Sequence, residues 1–303
     1  MMGHLDKTHG VHVTRDVLYA TAGVNFSTTP TLRELRLDVY EPDGAPVNGT
    51  RPALVMAFGG AFHRGNKEAD EFDNEGHRNT PVSVYCNEFA RRGYVAYSID
   101  YRLVQEDPDP GSTPVFLDKL NIPRSRIDYV RNLLGLPPAT SEMIWAGMEA
   151  ACDDMVKAFR FVQANASRYS VDPGRIAIGG FSAGARIALA AAYCERVPAA
   201  AVISISGYMT TEDLKRFVTG AASEPPAFFV TGEVDLDHIA RQASMIDRHF
   251  DAMGVPHDSW RVPGAPHFYP CSSIVTQPEG RHTKLEDAMA EFLQTALRLD
   301  TAT

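Results

Sequence analysis

The chain has 303 residues, 44% of them hydrophobic and 22% charged, with a formal net charge of −9 and an isoelectric point near 5.6. Such acidity argues against a nucleic-acid or anionic-membrane surface, and no stretch approaches the ~20 apolar residues of a membrane span. A single domain over residues 1–303 is expected, since α/β folds of this size are often undivided.

Met1 to His12 is polar, without an apolar core or a small-residue cleavage site, so no secretory signal and a cytoplasmic location are expected. His12–Ala20 and Leu32–Tyr40 read as an antiparallel pair, the latter a half-exposed edge strand because Leu35, Leu37 and Val39 alternate with Arg36 and Asp38. Ala53–Phe58 is a continuous apolar run, the pattern of a strand buried on both faces. Thr80 and Pro81 supply an N-cap and a first-turn proline for a helix running to Arg92, with Gly93 as its stop. Tyr94–Ile99 is a second buried strand.

Residues 104–148 then break the rhythm, because loops beyond ~12–15 residues are uncommon in compact domains. The segment is apolar enough to pack, with Phe116, Leu117, Leu120, Ile122, Ile144 and Trp145. It leaves the carboxyl end of a central strand, where α/β proteins bind ligands. A lid is therefore expected; a surface subdomain is the alternative.

Glu149–Ala166 places Met155, Val156, Phe159 and Val162 on one helical face. Arg175–Ile178, Ala200–Ile205 and Ala227–Thr231 are further buried strands, and His257–Val262 reads as the last. Helices are expected over Ser182–Cys194, Leu236–Met253 and Lys284–Leu299. Strands alternating with helices predict a mostly parallel sheet of about eight strands flanked by helices.

Chemistry enters at Gly180-Phe181-Ser182-Ala183-Gly184. Ser182 follows a strand and opens a helix, the setting in which a G-x-S-x-G serine becomes a nucleophile; Gly180 and Gly184 let strand and helix approach. A serine hydroxyl needs a base to remove its proton, and that base needs an acid to orient it. Asp235 follows the strand Ala227–Thr231 in a carboxylate-bearing loop, with Asp237 in reserve. His267 lies in the Gly/Pro loop after His257–Val262. Serine, acid and histidine thus occur in the order known for one large hydrolase fold. Acyl transfer also needs N–H groups aimed at the developing oxyanion. Ala183 N–H is one candidate, and the Gly59-Gly60-Ala61-Phe62 turn after Ala53–Phe58 supplies the others. Cys86, Cys152, Cys194 and Cys271 are scattered and read as free thiols. The histidines show no ligand spacing, so no metal is expected.

Together these motifs resemble the α/β-hydrolase superfamily. More narrowly, they resemble bacterial carboxylesterases of the hormone-sensitive-lipase-like and feruloyl-esterase-like groups. The resemblance runs from about Leu32 to the C-terminus and is carried by Phe58-Gly59-Gly60-Ala61-Phe62, Ser98–Leu103, Val171–Ala177 and Gly180–Gly184. It implies an α/β-hydrolase fold with an inserted lid, and Gly60 and Ala61 as oxyanion donors. The chain departs from the pattern at Phe58, where the family's motif begins with histidine. It also carries its bulk at Val104–Met148, while Gly207–Pro226 is short.

Arg186, one helical turn after Ser182, stands where such relatives have Asn or His facing the oxyanion loop. It is expected to hydrogen-bond carbonyls of Gly59–Arg64, a water-exposed arginine being the alternative. The expected activity is a cofactor-free serine carboxylesterase acting on small to medium small-molecule esters, with neither nucleic acid nor membrane as partner. An amidase, formamidase or peptidase on the same fold is the alternative, followed by a non-catalytic ligand-binding homologue.

Overall fold

The structure, a computed structural model, describes residues 4–46, 49–112, 114–117, 119 and 122–299. In chain order its first third comprises β1 (Val11–Val24), β2 (Thr31–Pro42), β3 (Arg51–Ala57), β4 (Asp73–Asn74), β5 (His77–Arg78), α1 (Val82–Arg91) and β6 (Val95–Ile99). Then come α2 (Ser125–Leu133), α3 (Ser141–Ala164), β7 (Val171–Phe181), α4 (Ala183–Tyr193), β8 (Ala201–Ile205) and α5 (Thr211–Phe217). The chain closes with β9 (Ala227–Gly232), α6 (Asp237–Met253), β10 (His257–Val262), β11 (Ile274–Thr276), β12 (His282–Lys284) and α7 (Leu285–Ala296).

Ten strands form one sheet in the order β1-β2-β6-β3-β7-β8-β9-β10-β11-β12. Strands β6 through β10 along that order pair in parallel, whereas β2 meets β6 antiparallel and the β1–β2 and β11–β12 hairpins close the two edges. Every residue of β3, β6, β8 and β9 is buried, as the continuous apolar runs require when both sheet faces are covered. Buried residues from Tyr19 to Leu297 join one hydrophobic cluster.

Four expectations change. Leu32–Tyr40 is not an edge: β1 covers it, and the charged position in the alternation, Asp38, is buried because Lys67 Nζ (2.7 Å), Arg15 (3.1 Å) and the Asp16 N–H (2.9 Å) satisfy it. His257–Val262 is not the last strand, since β11 and β12 extend the sheet beyond the eight expected. Those two strands have only three residues each, too short for a periodicity to register. Thr80 does not cap α1; its hydroxyl accepts from Cys271 N at 2.9 Å, while Asp70 Oδ1 reaches Val82 N at 3.0 Å. The helix read from Glu149 starts at Ser141, with Thr140 accepting from Met143 N at 3.1 Å, so residues 141–148 continue α3.

The rest of segment 104–148 is tied to the body by its backbone. Val115 and Phe116 N–H groups donate to Glu149, Trp145 Nε1 donates to Phe116 O, and Leu117 N donates to Asp213. Thr113, Asp118, Leu120 and Asn121 of that segment, and Met1 to Gly3 of the polar start, lie outside the described residues. Among the described residues no helix is long and apolar enough to cross a membrane.

Candidate active site

Ser182 sits between β7 and α4 with φ 54° and ψ −112°, a backbone conformation costly for a residue with a side chain. The turn is held by Ser182 N donating to Ile205 O (2.8 Å) and by close packing around it. A Cβ on Gly184 would overlap the carbonyl oxygen of Ala57 at the end of β3, so only glycine lets α4 start here. This strand-to-helix corner lifts the serine hydroxyl toward the carboxyl end of the sheet.

His267 Nε2 lies 2.9 Å from Ser182 Oγ, and its Nδ1 lies 2.6 Å from Asp235 Oδ1. Asp235 comes just past β9 and His267 just past β10, so adjacent parallel strands deliver both to the same edge. A carboxylate only accepts, so Nδ1 carries the proton and Nε2 faces the serine as an acceptor. Burial alone would push the Asp235 carboxyl up. The charge and hydrogen bond of His267, with donors Ser206 Oγ (2.6 Å) and Leu236 N (2.7 Å), outweigh it and hold the carboxyl below its ordinary value. Asp237, the reserve acid, is exposed on the first turn of α6.

Ser206 was missing from the sequence reading. It directly follows β8 with φ 50°, donates its proton to Asp235, and accepts one from the Tyr269 hydroxyl at 2.7 Å. Nothing in its Ile205-Ser206-Gly207 setting signals this, because the contact spans two neighbouring strands.

The turn after β3 has positive φ at Gly60 (116°), Ala61 (55°) and Phe62 (62°). A Cβ on Gly60 would overlap the Arg64 carbonyl, while one on Gly59 would lie 2.6 Å from the Phe181 ring. Among the described residues, the N–H groups of Gly60, Ala61 and Ala183 donate to no protein acceptor. Ala61, Ala183 and Ser182 line one cavity of about 40 Å³, together with Phe62, Tyr208 and His238. On the other side of the histidine, an open cleft of about 340 Å³ is lined by Asn74, Ser125, Arg126, Leu236, His267 and Phe268. A larger cavity, of about 910 Å³, shares no lining residue with either.

Phe58, standing where the related motif has histidine, is buried and stacks on Tyr101 at 4.2 Å, and the Tyr101 hydroxyl donates to the Phe58 carbonyl (2.9 Å). The histidine of this loop is instead His63. Its Nδ1–H donates to Ala61 O (2.6 Å), and its Nε2 accepts from Arg131 of α2 (2.9 Å). Burial pushes its pKa down to about 4, leaving a neutral ring that suits one donor and one acceptor role.

Arg186 departs from expectation. It is buried, yet it bonds Asp213 (2.5 Å) and Tyr208 O (3.2 Å) between the rings of Phe116 and Tyr208, with no bond to Gly59–Arg64. The nearby loop carbonyls are already engaged, Gly60 O by His63 N and Ala61 O by the His63 ring, whereas Asp213 offers a full charge.

The carboxylates of Asp16, Asp38 and Glu68 converge elsewhere, but Lys67 Nζ sits 3.0, 2.7 and 3.0 Å from them and supplies the cation itself.

Residues 143–219, from α3 through α5 and including Ser182, match the BD-FAE family model. No curated protein sequence matches the chain. The fold is similar to Thermogutta terrifontis esterase 2, solved phosphorylated by paraoxon, at 19% identity and a TM-score of 0.56, covering 85% of this chain and 84% of that one. It is similar to MGS-M1, an α/β-hydrolase enzyme from a Medee basin deep-sea metagenome library, at 14% identity and TM-score 0.57 over 96% and 100% of the two chains. A truncated carbohydrate esterase from gut microbiota is similar at 15% identity and TM-score 0.62, over 97% and 98%. The parallel sheet, the strained serine corner and these likenesses together identify the architecture as the α/β-hydrolase fold.

Proposed function

We propose that this chain is a serine carboxylesterase. The observation that carries the reading is the continuous hydrogen-bond chain from Ser182 through His267 to Asp235, beside the unengaged N–H groups of Gly60, Ala61 and Ala183. Ser182 Oγ attacks the acyl carbon as His267 Nε2 takes its proton. Asp235 keeps the imidazole in the required tautomer and stabilises the imidazolium. The three N–H groups receive the oxyanion, whose charge a buried site stabilises more than water does. His267 then protonates the leaving alcohol, and water repeats the sequence on the acyl-enzyme.

The esterase likenesses of the fold and the BD-FAE match support the reaction class. The chain acts as one domain in this reading, and segment 104–148 serves as a lid: Pro123, Arg126 and Ile127 line the cavity beside Ser182. The cavity beside Ser182, about 40 Å³ against about 340 Å³ for the cleft beside His267, is the smaller of the two and favours a short acyl group.

Hydrolysis of p-nitrophenyl acetate, butyrate and octanoate by the wild type and Ser182→Ala tests the proposal. Activity falling with chain length and lost in the variant is the expected result. Turnover that survives Ser182→Ala, or a folded protein that cleaves amides but no ester, would sink it.

A further inference from the structure

We propose that the alcohol part of the substrate carries an ionised carboxylate, and that Arg126 receives it; this deepens, and rests on, the esterase reading. Helix α2 carries two arginines, Arg126 and Arg131, and Arg124 directly precedes it. Arg124 pairs with Asp128 (3.0 Å) and bonds Ala139 O (2.7 Å), and Arg131 bonds Pro137 O and His63. Arg126 alone turns to the site, lining both the Ser182 cavity and the cleft beside His267.

Its guanidinium carbon lies 5.1 Å from the centre of the Phe268 ring and 5.0 Å from that of Tyr129. Among the described residues it has no carboxylate within ion-pair reach and donates no hydrogen bond, and the charge that acts on it most is a second cation, Arg64. Burial and Arg64 both depress its pKa, so the folded protein holds this charge at a cost. The aromatic faces offset part of that cost. A planar carboxylate, meeting the guanidinium fork through two hydrogen bonds, would offset the rest.

The alcohol side follows from the chemistry. His267 must protonate the departing oxygen, so the alcohol lies toward the histidine, where the cleft is about 340 Å³ against about 40 Å³ by the serine. Asn74 and Ser125 add polar groups to the same cleft. Two carboxylates also line the cleft: Asp237 is exposed and screened by solvent, and Asp235 is engaged by His267 and Ser206. The substrate class is therefore a short-chain acyl ester of a hydroxy acid. Water enters the acyl carbon, the alkoxide leaves with the proton from His267, and the products are a short carboxylic acid and the free hydroxy acid.

The test compares kcat/KM for 4-acetoxybenzoate, which is anionic at neutral pH, with its uncharged methyl ester. Wild type, Arg126→Leu and Arg126→Lys are assayed, with melting temperatures taken alongside. The wild type is expected to prefer the acid, and Arg126→Leu to cut the acid-to-ester ratio by roughly 10-fold to 100-fold, the range of a charge-assisted hydrogen bond. Arg126→Lys should keep part of the preference, and added salt should narrow it. An acid-to-ester ratio unchanged by Arg126→Leu would overturn the proposal and leave the arginine a packing role. So would turnover of p-nitrophenyl acetate with neither acetoxybenzoate cleaved, whereas loss of all ester turnover would take the esterase reading down as well.

Discussion

The guanidinium of Arg131 on α2 donates to Nε2 of His63 at 2.9 Å, so a helix of the inserted segment clasps the loop whose N–H groups flank Ser182. His63 passes the constraint on through Nδ1–H to Ala61 O, one atom group from the proposed oxyanion donors. Ala61 and Phe62 both hold positive φ, which non-glycine residues keep only when their surroundings enforce it. The inserted segment thus bears on the geometry of the loop as well as on the walls of the cavity.

His63→Ala should therefore lower kcat for p-nitrophenyl acetate by roughly 10-fold to 100-fold, the scale of an ångström-level misplacement, with KM little changed. Arg131→Met should act in the same direction more weakly, because Gln105 still bonds the His63 carbonyl at 2.7 Å. Steady-state kinetics on both variants would check this; a change confined to KM would assign His63 to substrate binding instead.

Asp235→Asn should keep the side chain's shape but reverse the imidazole tautomer, lowering kcat by about 10⁴-fold. Ser206→Ala removes one donor from Asp235, so its carboxyl pKa should rise while the His267 bond remains. The measurement is the pH dependence of kcat/KM: the acidic limb of Ser206→Ala should shift, whereas a residue that merely fills space would leave it where it was.

Arg186 and Asp213 form a pair buried on both sides, with side-chain exposures of 2% and 1%. Removing one partner leaves an uncompensated charge in the interior, and Arg186→Ala is expected to lose about 3–5 kcal/mol of stability. Asp213 also accepts from Leu117 N, so the loss should loosen segment 104–148 with it. Chemical denaturation of Arg186→Ala, beside the double variant Arg186→Met/Asp213→Leu, provides the check; the apolar pair should recover part of the loss.

Asp70 gives a pH dependence with a definite sign. Its carboxyl is buried, and burial pushes the pKa from 3.8 up to about 7 against the pull of the Val82 and Gly59 N–H groups. The folded chain therefore holds a proton that the unfolded chain has released between those values. The resulting stabilisation is complete below about pH 4 and is lost as pH rises through about 7. Asp70→Asn keeps the acceptor for Val82 N and cannot ionise. Urea midpoints for the two proteins should converge or cross as pH rises through that window, and a pH-independent gap would refute the assignment.

The motifs around Ser182, Asp235 and His267 were legible because each lies in the few residues beyond a strand, and the strands announced themselves as continuous apolar runs. The partners of Arg186 were not legible. Asp213 is on α5, a seven-residue helix in a stretch read as a short connection, and only the packing of α4 against it made a charge available. Ser206 escaped for the same reason, being an ordinary residue until β8 and β9 lie side by side. The start of α3 at Ser141 was not legible because it continues directly from the proline-broken stretch before it, with Pro137 and Pro138 just ahead of the Thr140 cap.

By itself, the order of residues determined what is local. Apolar runs set the strands, small residues set the corner at Ser182, and the serine, acid and histidine follow one another just beyond the runs of β7, β9 and β10. Tertiary structure decided what depends on distance through space: the serine–histidine and histidine–aspartate contacts, the pairing of Arg186 with Asp213, and the turn of Arg126 toward the cleft. The physical reason is range. Backbone propensity and hydrophobic periodicity act over a few residues along the chain, whereas hydrogen bonds and ion pairs act over a few ångströms, between groups as far apart in the chain as Ser182 and His267.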